Sequence, residues 1–170
     1  MKQPTLRPSD VVVACQLALT PAAQFLQLAA STGLSAGECH NAVRRLRFAR
    51  LLLADERRPS AKVLHQFLIN GAPFAFPAII GSDIAGIPTA HSAPAFRGLV
   101  DSAEGFVWPH DGGTARGKAL LPLFPGAPEL PDRNSQLYDL LTMVDALRVG
   151  SARIRKLASE LLGKRLEGAA

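Results

Sequence analysis

The stretch Leu28-Ala29-Ala30-Ser31-Thr32-Gly33-Leu34-Ser35-Ala36-Gly37-Glu38-Cys39-His40-Asn41-Ala42-Val43-Arg44-Arg45-Leu46 decides how the first third of the chain is read. Phe25, Leu28, Ala29 and Thr32 fall at i, i+3, i+4 and i+7, the spacing of one buried helical face. Gly33 ends that helix, because glycine accepts the left-handed backbone a sharp exit demands. Ser35 and Glu38 form a Ser-x-x-Glu capping box that starts the next helix almost at once. Along it Cys39, Ala42, Val43 and Leu46 point inward, leaving His40, Asn41, Arg44, Arg45 and Arg47 toward solvent. The small side chain of Ala29 lets the two helices cross closely, and Leu34 plugs the angle between them. The pattern is two helices on a tight turn, the second basic on its open face.

Upstream, Ser9 caps a helix running to about Leu19, with Asp10 favourably placed in its first turn. Pro21 suits the first position of the helix that follows. Downstream, Arg47-Phe48-Ala49-Arg50-Leu51-Leu52-Leu53 reads as a helix passing into a short strand, and Ala54 to Pro59 is too short for a long hairpin. Between Gly71 and Pro94, four prolines and three glycines preclude a long helix, yet the isoleucines and phenylalanines there require packing. Phe106-Val107-Trp108 and Lys118 to Leu121 flank His110-Asp111-Gly112-Gly113, which predicts a hairpin around an Asp-Gly turn. Two C-terminal helices follow. Leu137, Leu140, Leu141, Val144 and Leu147 stripe the first; Ile154, Leu157, Ala158, Leu161 and Leu162 stripe the second. The expectation is a mainly α fold with a small β component, divided into 1–70, a Pro/Gly-rich packed middle at 71–132, and a helical region at 133–170.

Nearly half of the 170 residues are apolar, enough for a real core. The net charge of +5 is uneven: residues 1–70 carry nine Lys/Arg against four Asp/Glu, residues 71–132 three against six, and residues 133–170 seven against four. Arg44, Arg45, Arg47, Arg50, Arg57 and Arg58 hold most of the first excess, which suits either a polyanionic partner or a solvated helix face. Cys15 and Cys39, both in apolar helical surroundings, fit a reducing cytoplasm. The start lacks the apolar run of a signal peptide, and no segment has the uninterrupted apolar length of a membrane span. A soluble cytoplasmic protein is expected.

The quoted segment resembles the helix-turn-helix of bacterial transcriptional regulators, most closely the winged-helix, MarR-like type, and the resemblance covers residues 8–70. It implies a double-stranded DNA ligand, with the second helix in the major groove. Carried over by position, Ala36 and Gly37 approach base edges at the helix start. His40, Asn41 and Arg44 lie on the next turns, where Asn suits adenine and Arg suits guanine. Ser35 contacts phosphate through its hydroxyl and amide, while Arg45, Arg47, Arg50, Arg57 and Arg58 contact the sugar-phosphate backbone. Such regulators commonly dimerise to read two half-sites, and the striped C-terminal helices are the expected homodimer interface. The layout also resembles winged-helix antitoxins of abortive-infection systems, which implies a toxin-like protein partner held by residues 71–132. An αα-hairpin that merely packs, or one recruited for protein contact, shares the pattern.

No reading as an enzyme emerges. His40, His65, His91 and His110 are widely separated and lack a metal-binding spacing. His91, Ser92 and Asp101 supply the residue types of a hydrolase triad, but Ser92 is not in a Gly-x-Ser-x-Gly setting. Gly112-Gly113 is a turn without a phosphate-binding fingerprint around it, and no cofactor is implied. Gly86-Ile87-Pro88-Thr89-Ala90-His91-Ser92 mixes polar and apolar residues unusually; it reads as a packed structural loop, with a ligand or partner site as the alternative. Trp108 reads as a core aromatic.

Overall fold

The computed structural model describes residues 3–169; Met1, Lys2 and Ala170, which the bounds 1–70 and 133–170 include, lie outside it. The fold is mainly helical with one small sheet. Helices α1 (Pro8–Leu19), α2 (Phe25–Thr32), α3 (Ala36–Phe48) and α4 (Ala61–Asn70) come first, followed by a single turn, α5 (Ala72–Ala75). Strands β1 (Ile80–Thr89), β2 (Phe106–Pro109) and β3 (Ala115–Leu120) occupy the middle. The short α6 (Leu130–Arg133) leads into α7 (Ser135–Val149) and α8 (Ala152–Gly168). No helix of the described residues is long and apolar enough to cross a membrane.

The first two helix starts lie elsewhere than the sequence suggests. Arg7, not Ser9, caps α1, and its amide donates to the Asp10 carboxylate at 2.9 Å. Pro21 does not open α2. It sits in a turn with Ala22 at φ 60°, and the helix begins four residues later behind Gln24. The Ala22 amide donates to the Arg57 carbonyl, so a long-range bond holds the turn that local proline chemistry would have made helical.

The middle region departs most from expectation. The segments flanking Asp111-Gly112 are strands, but β2 and β3 run parallel to each other rather than as a hairpin. Each pairs antiparallel with β1, so the three strands close into a ring. Gly86 of β1 stands at the closure, opposite both Pro109 and Ala115. A Cβ on Gly86 would lie 2.2 Å from the Trp108 carbonyl oxygen, and one on Gly113 2.2 Å from the Gly86 amide nitrogen. Side chains at these two places would force the ring open. β1 itself has no clean alternation, because a bulge between Ile80 and Asp83 breaks the period of two.

α7 is the hub. It packs against α1, α4, α5, α8 and β1, and Leu137, Leu140, Leu141, Val144 and Leu147 are all buried. The stripe expected to meet a second subunit is therefore covered inside this one. Of the C-terminal pair, α8 keeps Ile154, Leu157 and Leu161 only partly buried. Core residues from all three stretches form one contiguous cluster. At its centre Asp145, 1% exposed, accepts from Thr89 Oγ1, Trp108 Nε1 and Arg148 at 2.7 Å each. Arg148 also donates to the Phe76 and Pro77 carbonyls. One carboxylate thus ties both β1 and β2 to α7. Trp108 is a core aromatic as read, set edge-on to Tyr138.

Candidate nucleic-acid interface

α2 and α3 are joined by three residues whose every element has a local cause. Gly33 takes φ 82° and its amide bonds the Ala29 carbonyl. Thr32 Oγ1 donates to the Leu28 carbonyl and accepts from the Leu34 amide, which fixes Leu34 in its buried position. The Ser35 hydroxyl accepts from the Glu38 amide while the Ser35 amide donates to the Glu38 carboxylate at 2.8 Å. The Ser35 amide, followed by its hydroxyl, holds the Glu38 carboxyl below the usual carboxylate range.

α3 then divides cleanly into two faces. Cys39, Ala42, Val43 and Leu46 are buried, as the periodicity predicts. Burial pushes the Cys39 thiol up, and the Cys15 thiol of α1 up to about 12, so both behave as small apolar groups. On the other side Gly37, His40, Asn41, Arg44, Arg47 and Phe48 are exposed, at spacings that put them on one face. A Cβ on Gly37 would meet nothing within 4 Å, so the backbone at the helix start is open to an approaching surface.

The six arginines that looked alike in sequence do different things. Arg45, expected toward solvent, points inward and makes a two-pronged ion pair with Asp10 of α1 at 2.7 and 2.8 Å. Its side chain is 12% exposed against 1% for Asp10, and that bond holds the guanidinium above its usual pKa. A polar position next to the helix seam was taken by a carboxylate the sequence had already placed nearby in α1. Arg57 lies over the Phe25 ring at 5.0 Å and donates to the Ala22 carbonyl, while His40 meets the same ring edge-on at 5.2 Å. Arg58 pairs with Glu56 at 3.2 Å. Among the described residues, Arg44, Arg47 and Arg50 form no ion pair and no side-chain hydrogen bond.

Ser35 is likewise committed within the chain. Both its amide and its hydroxyl face Glu38, so the phosphate contact expected of it competes with the cap. The segment after α3 is held by a left-handed Arg50 at φ 59°, with the Leu51 amide returning to the Leu46 carbonyl. This is a glycine-type helix end made with an arginine. The strand expected after it is a single bridge, Leu52 to Pro59, with the Leu53 amide donating to the Arg58 carbonyl. Phe48 on the exposed face of α3, 58% exposed, and Leu26 of α2, 75% exposed, carried no role in the sequence reading. Their signal was available: each is an apolar residue outside the inward period.

Comparison with protein-family models, with curated proteins and with solved structures returns no match.

Proposed function

We propose that the chain is a sequence-specific double-stranded DNA-binding transcriptional regulator, a cytoplasmic repressor that acts as a homodimer. In this reading α2 and α3 are a helix-turn-helix, α3 enters the major groove, and the loop bridged at Leu52 and Pro59 is a minimal wing. The observation that carries it is the open face of α3. Of the six clustered arginines, Arg45, Arg57 and Arg58 have internal partners, whereas among the described residues Arg44 and Arg47 on that face and Arg50 just past the helix end have no ion pair. Asn41 and Arg44 read bases; Arg47 and Arg50 neutralise phosphate. One helix reaches too few base pairs for useful specificity, which supports two copies on a symmetric site.

Selection of bound fragments from the host genome tests this directly. A shared motif with two inverted half-sites is the expected result, and Arg44→Ala then costs about 1–3 kcal/mol on that motif and relaxes one position. Unchanged affinity for Arg44→Ala rules out the docking.

A second reading has an observation of its own. Phe74, Ile79, Ile80 and Leu121 are all at least half exposed, an unusual concentration for one region. A DNA-binding antitoxin that holds a toxin-like protein through residues 71–132 would use such a surface. A co-transcribed toxin-like gene beside this one separates the two readings.

A further inference from the structure

β1 and β3, with Ile79 and Leu121 at their ends, form a two-stranded ribbon whose register sorts its side chains by face. Asp83 stands opposite Lys118 and Ala85 opposite Arg116, so the charged side chains of the ribbon share one face. The other face carries Ile79, Gly81, Ile84, Ala119 and Leu121. The Leu121 amide donates to the Ile79 carbonyl, and a Cβ on Gly81 would lie 3.3 Å from that of Ala119. Ile84 stands opposite Gly117, which alternation places on the side of Ala119. None of these five residues is polar. The bulge between Ile80 and Asp83 does the sorting: without its extra residue, Asp83 would fall on the apolar face and Ile84 on the charged one.

An antiparallel sheet ordinarily turns its apolar face to the core and its charged face to water. Here Asp83, Arg116 and Lys118 are solvated, and the apolar face has no second layer among the described residues. Ile79 is 62%, Leu121 55% and Ile84 41% exposed. Ile80, half exposed, adjoins them, and Phe74, 82% exposed, lies five residues before Ile79 and so within about 18 Å of it along the chain. Together these side chains expose on the order of 500 Å², the size of patch that marks an interaction site. A stable homodimer buries about 800 Å² on each partner, about 65% of it apolar, and the patch supplies that apolar share.

We propose that this face is the contact between two copies of the chain, packed sheet on sheet across a two-fold axis. Its relief suits a second copy. Ile79 and Leu121 form one ridge, Gly81 and Ala119 a trough beside it, and Ile84 a second ridge beyond the trough. When Ile84 of one copy enters the trough of the other, the two-fold axis makes the reciprocal contact as well, which closes the pair. A foreign protein would be selected by charges or hydrogen bonds, and these side chains offer neither. The α7 stripe cannot serve, because it is buried inside its own chain. The inference rests on the homodimer of the proposed reading and names the surface that makes it.

Sedimentation of the full chain without DNA, from about 1 to about 100 μM, tests the proposal. The wild type is a dimer at the upper end of that range. Ile84→Lys and Leu121→Lys each weaken the dimer about tenfold or more, because symmetry places each new charge in the contact twice. Leu26→Lys, at an exposed apolar position on α2, leaves the dimer as it was. A second measurement needs no charge on the ribbon. Chains bearing Ile84→Cys, mixed with chains bearing Ala119→Cys, join by a disulfide on mild air oxidation, while Cys15 and Cys39 stay silent because they are buried. A wild type that stays monomeric, a dimer that Ile84→Lys and Leu121→Lys leave intact, one broken by Leu157→Lys alone, or the absence of that disulfide would each overturn it. A dimer that binds no duplex faults the reading of α3 alone, and a monomer that binds one faults this interface alone.

Discussion

α3 and α7 carry the same kind of apolar stripe and end in opposite circumstances. α3 buries one face on α1 and α2 and leaves the other open from Gly37 to Phe48. α7 is buried from Leu137 through Leu147 except at Asp139, and its polar residues Thr142 and Asp145 are inside as well. Helical periodicity says that a face is buried; it does not say by what. On α3 the neighbours come from adjacent sequence, so the partner follows from the turn. On α7 the adjacent α8 is joined by elements from the far side of the chain, and a stripe that looked free for a second subunit is closed by α1, α4, α5 and β1 as well.

The Asp10–Arg45 pair pins α3 to α1, and Asp145 of α7, paired with Arg148 of the same helix, holds Thr89 of β1 and Trp108 of β2; breaking these two centres is the sharpest test of that difference. Asp145→Ala strands Arg148 and leaves Thr89 and Trp108 without their shared acceptor. A loss of about 3–5 kcal/mol in denaturant unfolding is expected, the range for removing one member of a buried pair. A loss below about 1 kcal/mol would deny α7 its role as hub. Asp10→Asn strands Arg45 at the α1–α3 seam, but that arginine is closer to solvent and can turn outward. The expected loss is smaller, about 2–3 kcal/mol, and combining it with Arg45→Ala should cost less than the separate losses added together. Strict additivity would mean the two side chains do not act as a pair.

The parts of the fold legible in sequence are those with local causes. The Gly33 exit, the Ser35–Glu38 box and the inward set Cys39, Ala42, Val43 and Leu46 need only neighbouring residues. The ring of strands was not legible, because Gly86, Gly113 and Gly117 owe their meaning to backbones distant in sequence, and a bulge hides the period of β1. The arginine cluster was half legible. Charge told that Arg44 to Arg58 were basic, but only three-dimensional pairing separates Arg45, bound to Asp10, from Arg44 and Arg47, which have no ion pair or side-chain hydrogen bond among the described residues. A cleft lined by His91 and Ser92 was signalled only by the mixed composition of Gly86 to Ser92, because Arg97, after a short turn, and Arg116, on β3, line it from separate stretches of sequence.

A smaller effect probes the boundary of the open face. Arg50 holds a left-handed backbone that glycine adopts more easily, at a saving of about 1 kcal/mol. Arg50→Gly should therefore leave unfolding stability equal or slightly higher. If α3 and its end lie on DNA, the same change weakens every duplex alike and lowers the salt slope by about one. Lost stability with unchanged DNA affinity would make Arg50 a purely structural residue.

The smallest expected effect concerns Glu38, the one acid on the open side of α3. Its carboxylate caps the helix by accepting from the Ser35 amide, yet it also places negative charge where the proposed duplex would approach. The two roles separate because glutamine serves the capping box nearly as well as glutamate. Glu38→Gln should leave the helix start intact and tighten binding to all duplexes by about twofold to fivefold at low salt, fading as salt screens the charge. Acid acts on the same group from the other direction. Its folded pKa is depressed, so the cap's contribution is present above the ordinary carboxylate pKa and is lost as pH falls through the depressed value. Glu38→Gln should flatten that acid-side loss of stability while the wild type shows it. If Glu38→Gln leaves duplex affinity unchanged at every salt concentration, the open face of α3 does not meet DNA, and the open face differs from the closed one only in lacking a cover.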